Sequence, residues 1–209
     1  MITKKTSALI IDSVPMIQQS LEKILNTNNQ FEQIFIADNN VTAMKVIKEQ
    51  DVNLIILDSQ QQGFDGLDFL RRIKASTYDG KILFISSSEH YFYESAAQRM
   101  GADGFILKTE KIETIQHAIS HVMSGYSLFK NYCHKPLPTL SQREIIVYGY
   151  LINGVSNKNI AKILSISHKT VSTYRSRILQ KCQVDSVVEL AKLHSEANLS
   201  FSGLCSGEF

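Results

Sequence analysis

At 209 residues the chain has room for two domains of ordinary size or one large one. An apolar fraction of 44 % fills real cores, a charged fraction of 20 % excludes wholesale disorder, and no apolar run approaches the roughly 18–20 residues of a membrane span. The net charge of +2 hides an asymmetry: 13 Lys and Arg face 15 Asp and Glu through Lys130, but 9 face 5 from Asn131 onward. Such a split fits a nucleic-acid-binding module joined to something acidic. Cys133, Cys182 and Cys205 are widely spaced and odd in number, which excludes a disulfide framework and a CxxC-type zinc site and fits a reducing cytoplasm.

In chain order, short and nearly continuous apolar runs alternate with helix-length segments. Ser7–Asp12, Gln33–Asp38, Asn53–Asp58, Lys81–Ser86 and Gly104–Leu107 have the character of strands buried on both faces. Helices are expected near 14–26, 39–49, 66–75, 91–100 and 110–124. Ile17, Leu21, Ile24 and Leu25 share one face of the first, and Ile112, Ile115, Ile119 and Val122 one face of the last. Five strand–helix units predict a doubly wound α/β domain with a parallel five-stranded sheet over residues 1–125.

Working sites in such folds lie outside the carboxyl ends of the strands. Asp12, Asp58, Ser86 and Lys108 all stand at those ends. Any one of them could simply stop a strand, but four at matching positions suggest a site. Two carboxylates, a hydroxyl and an ammonium suit phosphoryl transfer onto a carboxylate. Asp58 serves as nucleophile. Asp12 helps hold Mg²⁺, while Lys108 and Ser86 pair with phosphoryl oxygens. No Gly-rich phosphate loop and no base for turnover of an organic substrate is in evidence, so an enzyme is not expected. An aspartyl-phosphate phosphatase would want an acid two residues past the nucleophile, where Gln60 stands.

The segments Ile10–Pro15, Leu54–Gly66, Ile82–Ser88 and Gly101–Lys108 resemble the receiver domain of two-component response regulators, a flavodoxin-like fold. The resemblance implies that Asp58 is the phosphoacceptor, Asp12, Asp58 and the Gln60 backbone carbonyl the Mg²⁺ site, Ser86 and Lys108 the catalytic partners, and Phe105 the switch aromatic. Phe105 as edge-strand core filler stays open beside that role. Two departures stand out. Receivers carry a second acid where this chain has Ser13, and a proline where it has Gln62. Losing a negative ligand at Ser13 predicts weak Mg²⁺ binding. Both departures leave room for an atypical receiver whose DNA binding is controlled by protein contacts instead of phosphorylation.

Residues 126–138, with Pro136 and Pro138, form a linker without periodicity. Ser141-Gln-Arg-Glu144 before Ile145-Ile146-Val147 is a capping-box signature for a helix to about Asn153, with Gly154 as its stop. Ser156 or Asn157 caps a short helix over 158–164, and a turn at 165–167 leads to a longer helix through about Lys181. A fourth helix, 186–196, closes a bundle over residues 139–200, ahead of a tail at 201–209. Two helices joined by so short a turn make a helix-turn-helix arrangement. Val171, Ile178 and Cys182 face the core; Ser172, Thr173, Arg175, Ser176 and Arg177 fill most of the remainder, and no acid lies between Glu144 and Asp185. That face suits base edges and phosphates.

Leu140–Cys182 resembles the LuxR-type output domain of the NarL/FixJ response regulators, in wording nearest to their virulence and fimbrial members. The resemblance makes Lys169, Thr170 and Arg177 phosphate contacts, places Ser172, Thr173 and Ser176 where bases are reached, and sets Asn157 and Lys158 at a phosphate-facing helix start. It implies a cytoplasmic, homodimeric regulator of transcription that binds double-stranded DNA and is phosphorylated by a sensor histidine kinase or phosphotransfer protein.

Overall fold

The computed structural model describes residues 6–27, 30–61, 64–76, 78–87, 91–129 and 140–202, and the structural statements below concern these. Gln62, most of the linker, Cys133 and the tail from Gly203 with Cys205 lie outside them. The chain forms two compact units, one mainly up to residue 132 and the other mainly beyond it.

The first unit runs β1 (Ser7–Ile11), α1 (Pro15–Thr27), β2 (Gln33–Ala37), α2 (Asn40–Glu49), β3 (Leu54–Asp58), β4 (Gln60–Gln61), β5 (Phe64–Asp65), α3 (Gly66–Lys74), β6 (Lys81–Ser86), α4 (Tyr91–Arg99), β7 (Gly104–Leu107) and α5 (Ile112–Met123). Five parallel strands pair in the order β2-β1-β3-β6-β7. Chain direction across the sheet therefore reverses beside β1, and the crevice at the carboxyl ends of β1 and β3 opens there. The apolar runs of β1 and β3 make strands because helices cover both faces, and every residue of the two is buried; β2 departs from that expectation, since it lies at the sheet edge and buries only Ala37.

Alternation along the strands assigns the faces. Ala8, Ile10, Leu54, Ile56, Leu83, Ile85 and Ile106 pack with Leu21, Ile24 and Leu25 of α1 and Ile115, Ile119 and Val122 of α5. Fully burying one such Leu or Ile stabilises by about 1.5–3 kcal/mol. Ile112 departs from the expected stripe, being 58 % exposed in the first turn of α5. Spacing identifies a side of a helix, not how far the apolar layer beneath it extends.

Two further features escaped the periodicity. Gln60 pairs with Asp65 and Gln61 with Phe64 in a two-residue antiparallel ladder, too short to carry a pattern. The expected linker begins by extending the sheet: Leu128 N–H donates to Asp103 O at 3.0 Å and Phe105 N–H donates to Leu128 O at 2.8 Å. Gly104 permits this approach, since a Cβ there would lie 3.1 Å from Leu128 Cβ.

The second unit comprises α6 (Gln142–Ile152), α7 (Asn157–Ile163), α8 (His168–Cys182) and α9 (Val187–Ser202). The capping box forms as expected: Ser141 Oγ accepts from Glu144 N–H, and the Glu144 carboxylate accepts from Ser141 N–H at 2.7 Å. Ser156, not Asn157, caps α7, and Ser167 caps α8. Gly154, at φ +72°, follows the last turn of α6. Helix α9 runs to Ser202, six residues past the expected end at Glu196. Ile145, Ile146, Val147, Ile160, Val171, Ile178 and Leu190 fill the bundle core.

Glu144 also receives Lys181 Nζ at 2.6 Å, tying the start of α6 to the end of α8. Burial raises the proton affinity of its carboxyl, but hydrogen bonds from Lys181 and Ser141 outweigh that and hold it below the ordinary 4.5. Beside it, burial and the Glu144 charge push the half-buried Cys182 thiol up to about 11.

Candidate functional site

Asp12 follows β1, Asp58 ends β3 and Lys108 follows β7; each stands two residues beyond Ile10, Ile56 or Ile106. Alternation therefore turns all three to the α1/α5 side at the carboxyl edge. Lys108 Nζ lies 2.6 Å from Asp12 Oδ2 and 3.0 Å from Asp58 Oδ2. Both carboxylates are buried, at 0 % and 2 % exposure, and the Lys108 side chain is only 8 % exposed. Asp12 is fixed further by Val14 N–H, which donates to its Oδ1 at 2.8 Å, and by Gln18 Nε2, which donates to its carbonyl at 2.6 Å. Removing either partner from such buried pairs leaves an uncompensated charge, so the trio is held as a unit.

Ser86 belongs to the other face. It continues the alternation of Phe84, whose ring stacks on Phe105 with centroids 6.2 Å apart. Phe105 is buried at 8 % exposure. Phe105 is thus part of the packed Phe84 face. Lys108 N–H donates to Ser86 O at 2.7 Å, which links the lysine strand to the serine strand. A residue not singled out from sequence joins the site: Ser59 Oγ donates to Ser86 Oγ at 2.9 Å. Its only sequence signal was a hydroxyl directly after an apolar strand.

Two carboxylates and one ammonium give Asp12, Asp58 and Lys108 a formal charge of −1. That donor chemistry fits a hard cation that takes oxygen ligands. The set is thin, however. Ser13 is exposed and neutral, and among the described residues no group of three or more His, Cys, Asp or Glu could hold a metal ion.

In the second unit, α7 and α8 meet through the turn at Leu164–Ser167, where Ser165 adopts φ +53°. Lys158, Lys169, Thr173, Arg175, Ser176 and Arg177 are exposed, and Asn157, Thr170 and Ser172 half-buried. Asn157 Nδ2 reaches Ser172 Oγ at 3.5 Å, bridging the two helices. The hydroxyls of Thr173 and Ser176 donate to the carbonyls of Lys169 and Ser172, at 3.0 and 3.1 Å, and Thr170 Oγ1 pairs with Ser167 Oγ at 2.8 Å. Lys181 is withdrawn from the basic surface by Glu144, so the acid-free stretch in sequence is not wholly acid-free in space.

Fold and site together define a receiver unit followed by a helix-turn-helix unit. The chain matches the response regulator receiver domain over residues 8–120 and the luxR family of bacterial regulatory proteins over residues 138–194. It is 36 % identical over 207 residues to the Fimbriae Z protein of Salmonella typhimurium, covering 91 % of this chain and 98 % of that one. It is 31 % identical over 205 residues to the virulence factors putative positive transcription regulator BvgA of Bordetella pertussis, covering 92 % and 98 %. The RcsB response regulator of Salmonella typhimurium has the same fold, with a TM-score of 0.78 over 93 % of this chain and 98 % of that one at 19 % identity. This chain belongs to the two-component response regulators that join a receiver domain to a LuxR-type output domain. Among the described residues no helix is long and apolar enough to cross a membrane.

Proposed function

We propose that Asp58 accepts a phosphoryl group from a sensor histidine kinase or phosphotransfer protein, and that this modification switches a cytoplasmic homodimer to bind double-stranded DNA through α7 and α8. The observation that carries the reading is the buried Asp58 carboxylate, 3.0 Å from Lys108 Nζ at the carboxyl end of β3. An Asp58 carboxylate oxygen forms the new bond to phosphorus while the bond from phosphorus to the donor breaks. Lys108 then holds a phosphoryl oxygen, and the Ser86 hydroxyl donates to another. Mg²⁺, when bound, supplies charge neutralisation for phosphoryl oxygens; Asp12, Asp58 and the Gln60 carbonyl would hold it, weakly because Ser13 brings no charge. Movement of Ser86 alters the Phe84–Phe105 face beside it and shifts a pre-existing equilibrium toward the dimer.

In the output domain, Lys158, Lys169, Arg175 and Arg177 serve the phosphate backbone, with Asn157 and Thr170 at the helix starts, and Ser172, Thr173 and Ser176 face base edges. Two copies suit paired half-sites, because a two-fold protein presents two recognition helices at a fixed spacing. RcsB has been solved bound to promoter DNA in the presence of phosphomimetic BeF₃⁻, and as two dimers bound to two parallel DNAs.

The test is dimerisation and DNA affinity of the native chain and Asp58→Ala, with and without acetyl phosphate. Phosphorylation control predicts a gain with the native chain alone. Equal DNA binding by both under all conditions would establish the second reading, control by protein contacts. That reading draws on the exposed Ser13 and on Lys108 lying nearer Asp12 than Asp58.

A further inference from the structure

Ser59 is buried at 2 % exposure in a strand end whose preceding residues, Leu54 to Leu57, are all apolar. A hydroxyl there calls for a reason, because a buried polar group is costly unless it is bonded. Its backbone is held at both ends: Ser59 N–H donates to Ile85 O at 2.8 Å, and Ser59 O accepts from Gly66 N–H at 3.2 Å. The first of these bonds extends the β3–β6 pairing one residue beyond Asp58↔Ile85, which brings Ser59 beside Ser86, and the second ties it to the start of α3. Strand alternation puts both side chains on the Phe84 face, opposite the side to which Asp12, Asp58 and Lys108 turn. The Ser59 hydroxyl, with a fixed backbone beneath it, donates to Ser86 Oγ at 2.9 Å.

We infer that Ser59 is a positioning residue that holds the Ser86 hydroxyl on the Phe84 face and so restrains the switch. The inference rests on the reading of Asp58 as phosphoacceptor and Ser86 as the hydroxyl that answers it. When Ser86 turns toward a phosphoryl group on Asp58, Ser59 loses its hydrogen bond while staying buried. The switched state then carries an unsatisfied hydroxyl that the resting state does not. A ligand that selects the switched state binds more weakly by that difference.

The test is a beryllofluoride titration of the full chain in the presence of Mg²⁺, followed by fluorine NMR, with Ser59→Ala, Ser59→Thr, Ser86→Ala and the double Ala variant. Ser59→Ala is expected to bind roughly tenfold more tightly than the native chain, and Ser59→Thr, which keeps the hydroxyl, to return to the native affinity. In the Ser86→Ala background, Ser59→Ala is expected to change nothing. A gain that persists there would show that loosened packing, not the hydroxyl pair, is responsible, and would overturn the inference. An unchanged or weaker Ser59→Ala titration would overturn it as well. If Ser59→Ala does not fold, Ser59→Cys, close in size but a weak donor, carries the same comparison. Failure of every variant and of the native chain to bind would refute the phosphoacceptor reading itself, and this inference with it.

Discussion

Gly66 opens α3 directly behind β3, the strand that ends at Asp58, and a single methyl group there measures how tightly that edge is built. A Cβ on residue 66 would lie 2.3 Å from the Asp58 carbonyl oxygen, 3.0 Å from Phe84 Cζ and 3.1 Å from Ser59 Cα. Two of those neighbours are backbone atoms of a central strand, so α3 must move away instead. Overpacking of this kind costs about 1–3 kcal/mol. Losing the bond from Gly66 N–H to Ser59 O adds about 1 kcal/mol, and the better helix propensity of alanine returns about 0.5–1 kcal/mol. The net for Gly66→Ala is about 2 kcal/mol, within a span of about 1–3.5, and the central value lowers the receiver transition by roughly 8–16 °C for a domain near 100 residues. Differential scanning calorimetry of the full chain reads that transition. Beryllofluoride binding should weaken in parallel, because the displaced atoms flank both Asp58 and Ser59. A transition unmoved or raised would show that α3 can recede without strain, and the close-approach account would fail.

Other outcomes follow from the two units. Ser13→Asp is expected to tighten Mg²⁺ binding in a calorimetric titration, since site affinity rises with ligand charge; an unchanged or weaker affinity would count against the thin-donor account. Because the Glu144 carboxyl is held below 4.5 in the fold, its contribution to stability is full above that value and is lost as pH falls through the lower folded value. Glu144→Gln should cost about 1–3 kcal/mol at neutral pH and flatten the acid side of the output domain's unfolding profile, read by circular dichroism. Arg177→Ala should weaken binding to all DNA sequences alike and reduce the salt slope by about 1, as measured by fluorescence anisotropy at several salt concentrations. Ser165→Gly should raise the output domain's stability by about 0.5–1 kcal/mol, the relief of a left-handed backbone less the added unfolded-state entropy; a denaturant midpoint that falls would contradict this.

The strands, their order in the chain and the amphipathic sides of α1 and α5 were legible in the sequence because burial on both faces imposes nearly continuous apolar runs on central strands, although β2 at the sheet edge carries such a run while half exposed. Periods of 2 and 3.6 also survive without tertiary knowledge. Ser141 and Glu144 announced their cap because that motif is local. Asp12, Asp58, Ser86 and Lys108 could be named as strand-end residues, since a doubly wound topology gathers such positions at one edge.

Tertiary structure alone decided how those residues meet. That Lys108 bridges two carboxylates 96 and 50 residues away in the chain depends on sheet order, which no local pattern encodes. Ser59 gained its partner only through the β3–β6 register. Glu144 became the counter-ion of Lys181 through helix packing, and Leu128 joined the sheet edge through the gap left by Gly104. Local spacing determines which way a side chain faces along its own element. What it faces is set by which elements the hydrophobic layers bring together, and those contacts link residues far apart in sequence.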